Sequence, residues 1–316
     1  MDYRVLGTSG LTVSRLCYGT LTIGPLQARL SLADGTYLLE AAFARGVNFF
    51  DSAESYGTYP YLKALIQKVG RHNLVLTGKS YAADAKQAQQ AVTDALRALD
   101  TDYIDIFLLH EQLSESTLRG HAEALQTYVQ LKQQGYVRAV GISTHHIAAV
   151  QAAVMHADID VVHPLYNIQG YGIQDGNAAR MLAAIEENVQ MGKGVYAMKV
   201  LGGGHLIPDY SSAFAHVLGI DSFASIAVGM QSLQEIAVNT ALFTHKQPSP
   251  YDLRWLAQQP RRLHIEDYCQ ACGLCVAVCP TKALHIDGGK LHVNYDSCFT
   301  CGYCGKVCPH MALKVL

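Results

Sequence analysis

The chain has 316 residues, with 24 Lys and Arg against 26 Asp and Glu, and half of its residues are apolar. A formal charge of −2 offers no footing for nucleic acid or an anionic membrane surface, and no apolar stretch is long enough to span a bilayer. The length suits one large domain followed by a small one.

Gly7-Thr8-Ser9-Gly10 reads as a hairpin turn ahead of the first strand, placed to plug a barrel floor. Short apolar runs then alternate with helical periods. The expected strands are residues 16–19, 47–50, 74–77, 104–109, 138–142, 160–163, 195–198 and 225–228. Helical periods include 35–44, 85–99 and 118–133. In the second, Ala88, Val92, Ala95, Leu96 and Leu99 recur at spacings of three and four. Eight apolar strands, each followed by a helix, predict an α/β fold with a parallel sheet buried on both faces. Eight such units in about 250 residues is the size of a closed (β/α)8 TIM barrel. A doubly wound open sheet would alternate too, but no G-x-G-x-x-G turn follows the first strand. Cys17, between Leu16 and Tyr18, reads as a small core residue.

Gln247-Pro248-Ser249-Pro250 ends the last barrel helix, and Gln258-Gln259-Pro260-Arg261-Arg262 follows a short segment around Trp255. These prolines and polar residues mark a linker. The expected domains are a barrel over 1–247, a linker over 248–262 and a small domain over 263–316. In that last part, Cys269, Cys272, Cys275 and Cys279 are spaced by three, three and four, and so are Cys298, Cys301, Cys304 and Cys308; each run ends in Cys-Pro. This C-x2-C-x2-C-x3-C-P spacing wraps three thiolates around one four-iron cluster and sends the fourth to its neighbour. Cys269, Cys272, Cys275 and Cys308 are therefore assigned to one [4Fe-4S] cluster, and Cys298, Cys301, Cys304 and Cys279 to the other. Disulfides need an oxidising compartment, and the start of the chain carries no apolar signal segment. Structural zinc commonly takes two separated pairs. The expected compartment is the reducing cytoplasm. The segment resembles the bacterial two-cluster ferredoxin, a small α+β domain. Its four acids balance its four bases, which suits an internal wire better than a free carrier.

In a barrel of this kind reacting groups sit at the C-terminal ends of strands. Asp51 ends the second strand, Lys79 follows the third, His110 ends the fourth, and Tyr56 lies five residues past Asp51. A lysine cation lowers a nearby tyrosine hydroxyl, an aspartate orients the lysine, and a neutral histidine donates to a carbonyl oxygen. Together they make a general acid aimed at a carbonyl that receives a hydride. Singly, each has a plain structural reading as cap, solvated charge, core histidine or loop anchor.

These residues resemble the aldo-keto reductase family. Phe50-Asp51-Ser52-Ala53-Glu54-Ser55-Tyr56-Gly57 is similar to its Asp-Thr-Ala-x-x-Tyr-Gly signature, and Lys79 and His110 complete its tetrad. Residues 137–143 and 194–204 are similar to its fifth and seventh strand motifs. The whole chain resembles the subgroup with a C-terminal ferredoxin domain. The resemblance implies carbonyl reduction or alcohol oxidation on a small molecule, with NADP(H) and with Tyr56 as the acid-base residue. It also implies cofactor contacts, and four of them depart from the family pattern. Ser143 is followed by Thr144 where a Ser-Asn pair holds nicotinamide. His163 stands before Tyr166-Asn167 where the family has glutamine. Met198 replaces a stacking tyrosine. The eighth-strand loop, Gly229-Met230-Gln231-Ser232, has no Lys or Arg for a 2′-phosphate, although Ser232 and the helix N-terminus can receive one.

NADP(H), NAD(H) and a flavin therefore stay open, as does the means of converting hydride to single electrons. One alternative is an electron-transfer subunit whose barrel binds a flavin or docks a partner redox enzyme; another is an ordinary reductase with structural clusters. Gly202-Gly203-Gly204 suits either a phosphate approach or a chain turn. His145-His146 reads as helix surface, His205 as a surface residue near the mouth, and Tyr166 and Tyr171 as candidates for the pocket wall.

Overall fold

The computed structural model describes residues 1–316. Strands β1 (Tyr3–Val5) and β2 (Thr12–Ser14) form an antiparallel hairpin. Eight parallel strands follow: β3 (Leu16–Gly19), β4 (Phe49–Asp51), β5 (Val75–Ser80), β6 (Ile104–Leu109), β7 (Val137–Thr144), β8 (Val161–Pro164), β9 (Gly194–Ala197) and β10 (Ser225–Gly229). They close in that order, β10 pairing with both β9 and β3. Between and after them run α1 (Leu32–Phe43), α2 (Tyr59–Val69), α3 (Ala85–Leu99), α4 (Glu115–Gly120), α5 (Ala122–Gln133), α6 (Ile147–Met155), α7 (Ala178–Gln190), α8 (Tyr210–Leu218) and α9 (Leu233–Phe243). The expected helix over 118–133 is two helices, because the chain leaves helical geometry at His121, at φ −107°.

Strand periodicity splits the core. Tyr18, Phe50, Leu76, Phe107, Val140, Val162 and Ile226 face outward into a 52-residue core shared with the helices. The alternate positions Cys17, Phe49, Val75, Ile106, Ala139, Val161 and Tyr196 face inward, in a separate 11-residue core. Leu6, Leu11 and Val13 of the hairpin join that inner core, so the hairpin seals the floor. Two residues per period fixes which side chains reach the mouth.

Beyond the barrel come α10 (Pro250–Gln258), β11 (Leu263–Ile265), α11 (Leu274–Ala277), β12 (Leu284–Asp287), β13 (Lys290–Val293), α12 (Tyr303–Val307) and β14 (Leu313–Val315). Strand β11 pairs with β14 and β12 with β13, each antiparallel. Left-handed backbone recurs at matching places in the two cysteine runs: Ala271 and Thr300, Gly273 and Gly302, Lys282 and Met311. The two runs thus fold as copies of one loop.

Candidate active site

Inward parity delivers Asp51 on β4, Lys79 on β5, His163 on β8 and Tyr196 on β9, with His110 just past β6. Lys79 and Asp51 are buried at 1% and 4% exposure. Charges this deep persist only when fully hydrogen-bonded. Lys79 Nζ donates to Asp51 Oδ2 at 2.7 Å and to the Ser52 carbonyl at 2.7 Å. The Tyr196 hydroxyl donates to Asp51 Oδ1 at 2.9 Å. The His163 ring stacks on Tyr196 at 3.8 Å between centroids, and its Nδ1 donates to the Tyr196 carbonyl at 2.7 Å. Burial, opposed by Asp51, brings His163 down to about 4.

Tyr56 ends a short 3-10 turn after β4, and Gly57, at φ 66°, redirects the chain there. The Lys79 ammonium lies 4.9 Å from the centre of the Tyr56 ring. Burial, then the charges of Asp51 and Glu111, hold the Tyr56 hydroxyl well above its ordinary value. Lys79, expected to lower that hydroxyl, does not offset burial; it donates to Asp51 and Ser52 instead. His110 packs edge-on to Tyr56 at 5.8 Å and stacks on Tyr81 at 4.5 Å. Burial and the Lys79 charge keep it neutral. Its Nδ1 is buried without a partner.

A cavity of about 680 Å³ covers Tyr56, Lys79 and His110, and its far wall is Glu266, Tyr268, Pro309, His310 and Lys314 from the C-terminal segment. A groove of about 450 Å³ leads from Asp51, Tyr56 and His163 past Met198 and Gly229 to Ser232, bounded by Trp255, Arg261 and Leu316. Four of the six expected cofactor residues, His163, Met198, Gly229 and Ser232, thus share one groove. The other two do not line it. Ser143 Oγ accepts from the Glu111 amide at 3.0 Å, while Thr144 has outward parity and its Oγ1 donates to the Gln112 carbonyl at 2.5 Å. The groove fits an extended ligand with an anionic end: Ser232 caps the 11-residue α9, and Arg261 acts on Glu235 nearby. Residues 15–261 match the aldo/keto reductase family model.

The chain belongs to the aldo/keto reductase family. L-galactose dehydrogenase of Arabidopsis thaliana is 23% identical, over 82% of this chain and 93% of that protein. Aldo-keto reductase YhdN of Bacillus subtilis is 25% identical, over 53% of this chain and 54% of its own length. Among solved structures, an aldo-keto reductase from Bacillus halodurans in its holo form superposes with a TM-score of 0.66 at 20% identity, over 82% of this chain and 96% of that one. Residues 262–309 match the model of a 4Fe-4S dicluster domain.

The donor set of that domain fits iron-sulfur chemistry. Burial and the neighbouring thiols of Cys308, Cys269 and Cys272 push the Cys275 thiol up to about 11. Burial and the thiols of Cys301, Cys275 and Cys298 push Cys304 up to about 12. The three thiols acting on Cys275 were expected with it, whereas those acting on Cys304 include Cys275, expected at the other cluster, and not Cys279. Such crowded thiols give up their protons to a metal. The domain is docked on the reductase mouth. His205 Nε2 donates to the Leu313 carbonyl at 3.0 Å, and Gln174 hydrogen-bonds the Pro309 carbonyl. His205 is therefore a buried anchor rather than a surface residue.

Tyr196, His145, Lys199 and Arg261 were not expected among the site residues. His145 faces the cavity, not solvent, because helix α6 begins only at Ile147 and the His145 ring bonds Lys199. Tyr196 looks like core within its apolar strand, and Arg261 carried no signal beyond its charge.

Proposed function

We propose that this aldo/keto reductase interconverts a small-molecule carbonyl and its alcohol with the tetrad Asp51, Tyr56, Lys79 and His110, and exchanges electrons with two [4Fe-4S] clusters in its C-terminal domain. What supports this is one cavity with Tyr56, Lys79 and His110 on one side, Asp51 behind Lys79, and the C-terminal segment on the other, as a roof. Pro309 and His310, which line it, directly follow Cys308.

A nicotinamide dinucleotide, held along His163, Met198, Gly229, Ser232 and Arg261, would supply or accept the hydride. The clusters, held by the two cysteine runs, would pass single electrons. The rest falls to the protein. Tyr56 stays protonated at neutral pH, so its hydroxyl can give a proton to a carbonyl oxygen as hydride reaches the carbon. The tyrosinate left behind has the Lys79 ammonium 4.9 Å from its ring centre, held in place by Asp51. Neutral His110, with an unused ring nitrogen, supplies a hydrogen bond to the same oxygen. In alcohol oxidation the proton returns to Tyr56.

The test is an anaerobic assay of the cluster-loaded protein. NADPH should bleach the cluster absorbance through a bound group that splits the hydride's electron pair, such as a flavin, which should then show in the starting visible spectrum. Tyr56→Phe should keep that bleaching but lose turnover by about 10²–10⁴-fold, the usual worth of a positioned acid. Full turnover in Tyr56→Phe would remove the tetrad reading, and unbleached clusters would remove the coupling.

A further inference from the structure

The tetrad uses Lys79 and leaves another lysine in the cavity wall without an evident task. Elsewhere the chain gives its sheltered lysines oxygen partners. Lys79 pairs with Asp51, Lys314 with Glu266 and Lys132 with Asp160, and Lys193 donates to two backbone carbonyls. Lys199 has no such partner. Its Nζ makes one hydrogen bond, to His145 Nε2 at 2.9 Å. Burial, then the Lys199 charge, keeps His145 neutral. Its ring nitrogen therefore accepts, and the ammonium retains two free donors. A cation withdrawn from water without an anion is costly, and an arriving anionic ligand would relieve that cost.

The backbone is built to put the ammonium there. Lys199 has φ 58°, a left-handed conformation uncommon for a non-glycine residue. Asn167, fully buried, holds that turn by donating from Nδ2 to the carbonyls of Tyr171 at 2.9 Å and Lys199 at 3.3 Å. Strain of this kind persists where the surroundings impose it, and it gathers at functional sites. Lys199 borders both the groove and the tetrad cavity, but its partner His145 lines the cavity alone. The acids of that cavity are already engaged: Glu266 by Lys314, and Glu111 by the Tyr81 hydroxyl at 2.9 Å. Both carboxylates act on Lys199 only through space, and burial and the Lys314 charge outweigh them, bringing it down to about 8; no acid hydrogen-bonds it.

Resting on the carbonyl-alcohol reading, we propose that Lys199, positioned by His145, binds the carboxylate of the substrate, which is a 2-oxo acid or the matching 2-hydroxy acid. Two free donors on one ammonium match the two oxygens of a carboxylate; a phosphate dianion would call for a second free cation. Lys199 lines the same cavity as Tyr56, Lys79 and His110. The acid group would therefore lie close to a carbonyl held by Tyr56 and His110, as in a 2-oxo acid.

The test uses the full protein with both clusters, kept anaerobic and saturated with NADP+ so that no reduction follows. Calorimetry compares phenylglyoxylate with its neutral amide, phenylglyoxamide. The acid should bind about tenfold tighter or more, the scale of a charge-assisted hydrogen bond. Lys199→Met should erase that preference while amide affinity, NADP+ affinity and the visible cluster spectrum hold, and Lys199→Arg should restore most of it. Equal binding of acid and amide overturns the proposal, as does a preference that survives Lys199→Met. If Lys199→Met weakens NADP+ instead, the lysine serves the dinucleotide and the proposal fails. Selective acid binding to a protein that takes up no NADP+ would support the subsite while removing nicotinamide from the barrel.

Discussion

Asp51 has two oxygens and a separate donor on each, Lys79 on Oδ2 and Tyr196 on Oδ1. Tyr196 is fully buried, and burial holds its hydroxyl well above its ordinary value, so it remains a donor. It acts on the chemistry only through Asp51, as a positioning residue. Tyr196→Phe removes that donor and leaves Oδ1 facing only His163 Nε2, 3.8 Å away. The expected stability loss is about 1–3 kcal/mol, the cost of an unsatisfied buried acceptor. Asp51 then bears a less neutralised charge. Since that charge already raises Tyr56, the alkaline limb of the turnover profile should move to higher pH. A stability loss with an unmoved profile would make Tyr196 purely structural. Asp51, Lys79 and His110 were legible because each ends an apolar strand, where a charged or polar residue stands out. Tyr196 was not, because an aromatic within an apolar strand looks like core. Lys199 stands in the sequence only as one residue of the 194–204 stretch, since its left-handed turn depends on Asn167, 32 positions earlier.

At the scale of elements, the eight barrel strands followed from continuous apolar runs, and α3 matched its periodicity from end to end. Helix α1 starts at Leu32, ahead of the expected 35, because Ser31 caps it by accepting from the Asp34 amide. The stretch read as a linker is the larger surprise. Pro250 at the first turn and a Ser249 cap make 250–258 a helix, where proline suits the helix start. Helix α10 brings Arg261 to the edge of the groove, near Ser232 and Glu235. The positive charge missing from the eighth-strand loop thus arrives from later in the chain. A search confined to that loop could not find it. Arg261→Ala should weaken NADPH binding by about tenfold and NADH binding little, because Arg pairs well with a phosphate. Equal losses for both dinucleotides would mean that Arg261 does not read the 2′-phosphate.

At the scale of the molecule, the barrel has cores of 52 and 11 residues, whereas the C-terminal segment has one of seven, two of them cysteines. So small a core seldom holds a fold alone, and metal binding commonly makes up the deficit. Docking adds contacts that depend on that fold. Gly204, at φ 92°, lies against β14 so closely that a Cβ there would fall 1.9 Å from the Val315 carbonyl oxygen. Sequence left this glycine run open between phosphate and turn, because only the docked partner shows what approaches it. Removing iron with a chelator under anaerobic conditions should therefore melt the segment beyond about residue 262 and leave the barrel folded. Limited proteolysis with mass spectrometry would find new cuts confined to that segment, while far-UV circular dichroism keeps most of its helical signal. A single loss of both parts, or a segment that stays protected, would show that the clusters do not hold the roof. The roof also matters to the acid beneath it. Burial is the largest influence raising Tyr56. With Tyr268, Pro309 and Lys314 gone from the cavity wall, water would reach the hydroxyl, and its titration should fall back toward that of an exposed tyrosine.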